Sequence, residues 1–234
     1  MWNIIVGAII GSVTSISTAI WIEWLRRPRL SLSMETPPLD IKWSGPRPAQ
    51  EARYPRVRLF NKPLPAWIRW MDRGPALQCR AAITFHHLDG QNVFGRTMEG
   101  RWSASPEPVP MPVIGPDGKQ SLLIDFARFT IASQLDVYPG ETETLDVAIR
   151  LDDDAECYGW NNEAYFSDPL WRNLDWKLPP GRYLVRVLVS SSGQKNEKCF
   201  RLINDVARTD ARLEPATRGE IGKISTRAAL SSKS

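Results

Sequence analysis

The chain reads as an all-β, antiparallel β-sandwich carried behind one N-terminal transmembrane α-helix. Three observations predict this. The amino-terminal stretch Trp2 to Leu25 is apolar and holds a single charged side chain, Glu23. Nineteen prolines and 13 of the 15 glycines punctuate the remainder at short intervals. The apolar segments between them alternate with period two and are rich in Val, Ile and Leu, as many short strands require.

A helix over Trp2 to Leu25 rises roughly 36 Å at 1.5 Å per residue, enough for a hydrocarbon core of roughly 30 Å. Trp2 stands at one end and Trp21 and Trp24 at the other, where amphipathic indoles sit between acyl chains and headgroups. Arg26, Arg27 and Arg29 come directly after, and the positive-inside bias puts them, and the domain after them, in the cytoplasm. A cleaved signal peptide fits less well. It would need a basic leading region and a small-x-small exit, and here bulky Trp21, Trp24 and Leu25 hold the exit. At 100° per residue Gly7, Gly11, Thr14, Ser15 and Thr18 share one side, with Ile5, Ile9, Val13, Ile16 and Ile20 on the other. Small residues in that register let helix backbones approach, so the expected partners are membrane lipid and either a second copy or another membrane subunit. The competing reading is that the hydroxyls bond back to carbonyls one turn earlier.

Composition bounds the rest of the chain. About 200 residues suit one well-buried domain and a tail. The formal charge of +4 is scattered, without a nucleic-acid footprint. Cys79, Cys157 and Cys199 are an odd set without CxxC spacing and suit reduced thiols. The expected division is an anchor and basic flank over 1–28, the sandwich over 29–205 with an insertion at 152–176, and a loosely ordered tail over 206–234, with a short helix around Glu220 to Leu230.

Leu30, Leu32 and Met34 alternate as a first strand, and Leu39, Ile41 and Trp43 mark an edge segment in a proline-rich loop. Tyr54 to Phe60 reads as a second strand. Trp67, Ile68, Trp70 and Met71 have the spacing of one helical turn, with the tryptophans as a plug over the sandwich end. Ala76 to Leu88 places Leu77, Cys79, Ala81, Ile83 and Phe85 on one face, and Asp89-Gly90 makes the next turn. The alternating prolines from 106 to 112 predict an extended crossover. Strand regions come next at 121–130 and 136–151, the latter burying Leu145, Val147, Ile149 and Leu151.

Leu178, Pro180, Gly181 and Tyr183, with Val185, Val187 and Val189 after them, resemble the penultimate strand of immunoglobulin-like and fibronectin-type-III-like domains. The resemblance implies an Ig-like β-sandwich in which a corner tyrosine turns its hydroxyl back onto nearby backbone. No Cys-Trp-Cys arrangement marks an antibody-type domain, and the likeness carries no function.

The insertion DDDAECYGWNNEAYFSDPLWRNLDW mixes acids with aromatics. Tyr158, Trp160, Asn162, Glu163, Tyr165 and Trp171 are the candidate partner-binding residues, since rigid aromatics beside hydrogen-bonding groups anchor interfaces. The alternative is a satellite core that folds the loop onto the sandwich. Asp152, Asp154 and Glu156 are a weak Ca²⁺ candidate that lacks the EF-hand alternation and glycine. His86 and His87 show no zinc spacing. There is no GxSxG, HExxH or P-loop, so no catalytic residue and no cofactor is expected. The function these features suggest is an interaction or sensing module held at the membrane, or an effector that perturbs the bilayer when a partner binds. A rival from another class is a carbohydrate-binding or hydrolytic sandwich on the outer face, suggested by ten tryptophans and many carboxylates.

Overall fold

The structure, a computed structural model, describes residues 2–43, 50–68, 70–106, 111–114, 120–123, 133–152 and 154–231. Side chains of 2–4, 7, 8, 43, 50, 111–114, 120–123 and 227–231 lie outside that description.

Helix α1 (Trp2–Arg26) spans 25 residues. Pro28 ends it, because proline biases the residue before it out of helical geometry. Its last carbonyls are capped by the domain itself: Gly74 N–H donates to Arg26 O at 2.6 Å, and Arg73 Nη1 donates to Arg27 O at 2.9 Å. The approach at Gly74 is close, since a Cβ there would stand 3.1 Å from Arg26 O. Ile5, Ile9, Ile10, Val13, Ile16 and Ile20 are 50–64% exposed, so the apolar face of α1 is left open by the described residues of the domain. Among the described residues no helix is long and apolar enough to cross a membrane, and the described side chains of α1 begin at Ile5 with a gap at 7 and 8.

Among the described residues all sheet pairing is antiparallel. The first sheet contains β1 (Leu30–Met34), β4 (Arg56–Asn61), β7 (Arg101–Trp102) and β11 (Thr142–Asp146), in the order β1-β4-β11-β7. The second is built from β5 (Ala76–His86), β10 (Gln134–Val137), β15 (Arg182–Ser191), β16 (Gln194–Ile203) and β17 (Arg212–Pro215), in the order β10-β5-β15-β16-β17, with β6 (Met98–Glu99) pairing β5. The two sheets share one core, which includes Leu32, Leu59, Leu145 and Trp102 from the first and Ile83, Phe85, Val187 and Phe200 from the second. That is a two-layered β arrangement, as period-two patterning requires.

A third sheet, in the order β14-β13-β12-β3-β2, continues from the first. It holds β2 (Leu39–Trp43), β3 (Gln50–Tyr54), β12 (Ala148–Leu151), β13 (Cys157–Gly159) and β14 (Lys177–Leu178). The strand expected over Tyr54 to Phe60 is therefore two strands. Pro55 cannot donate to a ladder, and Val147 N–H bonds Pro55 O at 3.2 Å. Both chains bend at this pair and pass from one sheet to the next. Leu145, Val147, Ile149 and Leu151 are all fully buried, but the first two enter the main core and the last two a satellite core.

Three other expectations are corrected. Leu77 is 41% exposed because Gln78 takes φ +52° and accepts a bulged register, its N–H held by Asp136 Oδ1 at 2.7 Å. Trp67 and Trp70 do not plug the sandwich; Leu64 and Ile68 are buried there, and the indoles are 76% and 81% exposed. Residues 206–231 include the helix expected around Glu220 but are more ordered than a loose tail. Leu213 pairs with Leu202 in the second sheet, and α2 (Arg218–Ser231) buries Ile224 against Leu184 and Cys199. Arg201 pairs with Glu220 at 2.7 Å, and Lys223 Nζ donates to Leu88 O. Gly90, at φ +90°, leaves no room for a Cβ, which would fall 2.7 Å from Lys223 O. The proline run from 106 to 112 falls mostly outside the described residues; β8 (Met111–Ile114) pairs with β9 (Gln120–Leu123).

Asn61 organises the end of the sandwich nearest α1. Fully buried, its Oδ1 accepts from Arg29 N–H at 3.1 Å, and its Nδ2 donates to Val137 O at 3.0 Å and Gly74 O at 3.3 Å. Its backbone joins the turn at 140–141, where Gly140 N–H donates to Asn61 O.

Candidate functional site

The insertion folds as a satellite. Tyr158 and Trp160 are 4% and 2% exposed and pack with Ala52, Tyr54, Ile149, Leu151 and Ala164, while Tyr165 and Trp171 flank them half-buried. Trp160 meets Tyr54 edge-on at 5.4 Å and Tyr165 at 5.2 Å. Short 3-10 turns at Asn162–Phe166 and Leu174–Trp176 close the loop. Glu163 accepts from Asn161 Nδ2 at 3.0 Å, and Asn173 Oδ1 accepts from Asp175 N–H. Of the six candidate partner-binding residues, Tyr158 and Trp160 thus serve the satellite core. Tyr165 and Trp171, with Trp160, line a cavity, and Asn162 holds Arg101 beside it.

That cavity has a volume of about 180 Å³ and lies where the satellite meets the first sheet. Trp160, Tyr165, Trp171 and Ile41 line one side; Arg56, Arg101, Ser103 and Asp146 line the other. Asp146 is 4% exposed, with Arg56 Nε 2.5 Å from its Oδ1 and Ser103 Oγ donating at 2.9 Å. Burial pushes the Asp146 carboxyl up, opposed by Arg56, Ser103 and Arg101. Arg101 donates to Asn162 Oδ1 at 2.5 Å and to Ser105 O at 2.7 Å, and its guanidinium stands 4.8 Å over the Tyr165 ring. A fork of fixed donors beside aromatic faces suits a planar or anionic group of small size. Arg56, Arg101 and Asp146 carry no motif, and sequence reasoning missed them. The signal that could have found them was polar residues set into strands whose neighbours, such as Trp102 and Leu145, are core.

Asp152, Asp154 and Glu156 each have a partner. Asp152 Oδ1 accepts from Glu51 N–H, Arg172 pairs with Asp154 at 2.7 Å and Asp152 at 3.5 Å, and Lys177 pairs with Glu156 at 2.8 Å. The three candidate Ca²⁺ ligands therefore face cations and backbone instead of converging, and among the described residues no group of His, Cys, Asp and Glu could hold a metal ion. His86 is buried, its Nδ1 facing Gly90 O at 3.1 Å and its Nε2 facing Thr84 Oγ1 at 2.8 Å, and burial pulls its pKa down. The three cysteines are free and buried, with Cys79 pushed up to about 11 and Cys157 to about 12 by desolvation. Such thiols are poor nucleophiles.

On α1, Thr14 Oγ1, Ser15 Oγ and Thr18 Oγ1 donate to carbonyls one turn back at 2.8–2.9 Å. A Cβ on Gly11 would meet nothing within 4 Å. The small-residue stripe is thus open, with its hydroxyls turned onto its own backbone. Arg29 lies 4.9 Å over the Trp24 ring. A second cavity, of about 480 Å³, opens between the end of α1 (Glu23, Arg26, Arg27) and the turn Ser192–Gln194.

No family model matches the chain, and no curated protein matches it. Among solved structures it is similar to a family 123 glycoside hydrolase from Clostridium perfringens at 9% identity and TM-score 0.30, over 79% of this chain and 27% of that one. A Northeast Structural Genomics Consortium target is similar at 12% identity and TM-score 0.25, over 75% of this chain and 86% of that one. The chain thus spans about a quarter of the hydrolase's length. Likenesses this distant carry no argument about activity.

Proposed function

We propose that the chain is a single-pass membrane protein whose cytoplasmic, Ig-like β-sandwich binds a partner at the end remote from its anchor. The observation that carries this is α1 itself: 25 residues long, Ile5, Ile9, Ile10, Ile16 and Ile20 at least half exposed, and its last carbonyls capped by the domain it precedes. Leaving half a dozen such side chains in water forgoes on the order of 10 kcal/mol of burial, and a bilayer supplies it. Trp21, Trp24 and the arginines after them support the interface position and the cytoplasmic orientation.

The Ig-like reading is supported by strand order. Labelled in chain order as A to G, β1, β4, β5, β7, β11, β15 and β16 give sheets A-B-E-D and C-F-G, the arrangement of constant-type immunoglobulin domains. Tyr183 Oη donates to Pro179 O at 2.8 Å, as a corner tyrosine does. The binding end is inferred from the cavity of Arg56, Arg101 and Asp146, about 17 Å up the first sheet from Asn61 at 3.3 Å per residue. Self-association through Gly7 and Gly11 would raise the local concentration of a small binding surface.

The test is topology first, binding second. Membranes washed with alkaline carbonate should retain the chain, and a tag after residue 234 should resist protease in intact cells and yield on lysis. A tag cleaved from outside, or a chain released by carbonate, refutes the proposal and favours an outer-face carbohydrate module. Partner binding should then fall on changing Arg101→Ala. Dye leakage from vesicles on partner addition would identify the effector form, and binding without leakage the sensing form.

A further inference from the structure

We infer that the anchor-proximal end of the sandwich is a second membrane-contact face, an aromatic and cationic collar that lies on an anionic bilayer surface where α1 emerges. It rests on the proposed anchor and goes beyond it, because the residues concerned belong to the domain and not to the helix.

Three segments are fixed at that end by hydrogen bonds. Residues 62–75 are tied to the helix exit, since Lys62 N–H donates to Arg29 O at 2.9 Å, Gly74 N–H to Arg26 O, and Arg73 to Arg27 O. The turn from Tyr138 to Glu141 is tied to Asn61. The turn at Ser192 is tied to Leu77 O and faces Arg26 and Arg27 across the larger cavity.

What these segments present is unusual for a water-facing surface. Trp67 is 76% exposed, Trp70 81% and Tyr138 54%. Large exposed aromatics gathered at one end of a domain mark an interaction surface, and rings with an apolar body and a polar tip favour the headgroup region. The charges point the same way. Among the described residues no ion pair joins Arg26, Arg27, Arg29 or Arg73 to a carboxylate, whereas Arg53, Arg56, Arg172, Arg182, Arg186 and Arg201 are all so paired. Arg73 is 5% exposed, its Nε has no partner, and burial and neighbouring Arg29 pull its pKa down. Unneutralised guanidinium groups crowded at a helix exit are what an anionic headgroup layer would relieve. A protein partner would have to occupy the same plane as the lipid into which α1 runs, so the bilayer is the occupant the geometry favours.

The test uses the full chain reconstituted in vesicles, with a single cysteine introduced and labelled by an environment-sensitive fluorophore. The native thiols are buried and free, so Trp67→Cys, Trp70→Cys, Trp24→Cys and Leu88→Cys can be labelled selectively. Lipid carrying a spin label near the headgroup is the quencher. Probes at 67 and 70 should be quenched to the extent of the probe at 24, and more strongly in phosphatidylserine-containing than in pure phosphatidylcholine vesicles. The probe at 88, at the opposite end beside α2, should stay bright. Quenching at 24 with none at 67 and 70 overturns the collar and leaves the anchor standing. No quenching at 24 overturns the anchor, and the collar with it. Equal quenching in neutral and anionic vesicles overturns the electrostatic part.

Discussion

Replacing Asn61 by Ala tests whether the domain is fastened to α1 or merely trails behind it. The side chain is fully buried and satisfies three backbone groups, Arg29 N–H, Val137 O and Gly74 O. These belong to the start of β1, the end of β10 and the loop that caps α1. Each backbone group left buried without its partner costs ~1–3 kcal/mol. Partial access of water at Arg29 discounts one of them, so the expected loss is roughly 3 kcal/mol. With a urea slope of about 1–3 kcal/mol per molar, the midpoint should fall by at least about 1 M.

The assay is urea unfolding of the full chain in detergent, monitored by tryptophan fluorescence. Asn61→Asp refines it. That side chain keeps the acceptor for Arg29 N–H but sets a carboxylate against two carbonyls, so the folded state should hold its proton. A group whose folded pKa is raised stabilises below its unfolded value, near ~3.9 for Asp, and loses that contribution as pH rises through the folded pKa. The Asp variant should therefore be nearly as stable as wild type near pH 4 and much weaker near neutrality. A loss under about 1 kcal/mol for the Ala variant, or an Asp variant indifferent to pH, would refute the reasoning.

Three further outcomes are expected. Gly100→Ala should destabilise by about 1–3 kcal/mol, because its Cβ would fall 2.9 Å from both Ala81 Cβ and Leu145 Cδ1 between the two sheets; chemical denaturation reads it. Burial lowers the His86 pKa from 6.5, so the unfolded chain takes up its proton first, and stability should decline as pH falls below 6.5 towards the folded value, a slope His86→Gln should flatten in a pH series of melts. Gly7→Ile with Gly11→Ile should weaken any oligomer, read as mass in detergent by light scattering, and an unchanged mass removes the case for a packing stripe.

What the sequence announced and what it concealed divide along physical lines. Alternation revealed strands wherever one face is core and the other is not, as in Arg182–Ser191, and the proline-glycine approach to Tyr183 announced the hydroxyl bond to Pro179 O. Alternation fails where a strand is buried on both faces, which is why Asp146 and Arg150 read as ordinary surface polars although both are buried. It also fails at bends. Nothing in Tyr54 to Phe60 except Pro55 signals a change of sheet, and a single positive φ at Gln78 turned Leu77 outward. The tail misled because its order rests on a few apolar side chains, Leu213 and Ile224, and on charged pairs such as Arg201–Glu220 that exist only once the sheet is formed. The cavity combines β4, β7, β11 and the insertion, far apart in sequence, and no local pattern encodes that meeting.

The same two strands touch both ends of the molecule. β4 begins at Arg56, in the cavity, and ends at Asn61, in the joint; β11 runs antiparallel beside it, with Asp146 opposite Arg56 and Thr142 opposite Phe60. Their separation is fixed by the ladder, and their lower ends are held by the bonds that hold α1. On the proposed reading this argues against a flexible tether, in which partner binding could only concentrate molecules at the membrane. A packed path alone is not a switch, because signalling needs an element with two arrangements. The joint is where a second arrangement would have to form, since the Arg73 and Gly74 bonds to the last carbonyls of α1 are the restraints that set the helix direction relative to the sheets. On that reading, a partner that disturbs the Arg56–Asp146 pair acts on strands that terminate at a joint able to re-aim α1.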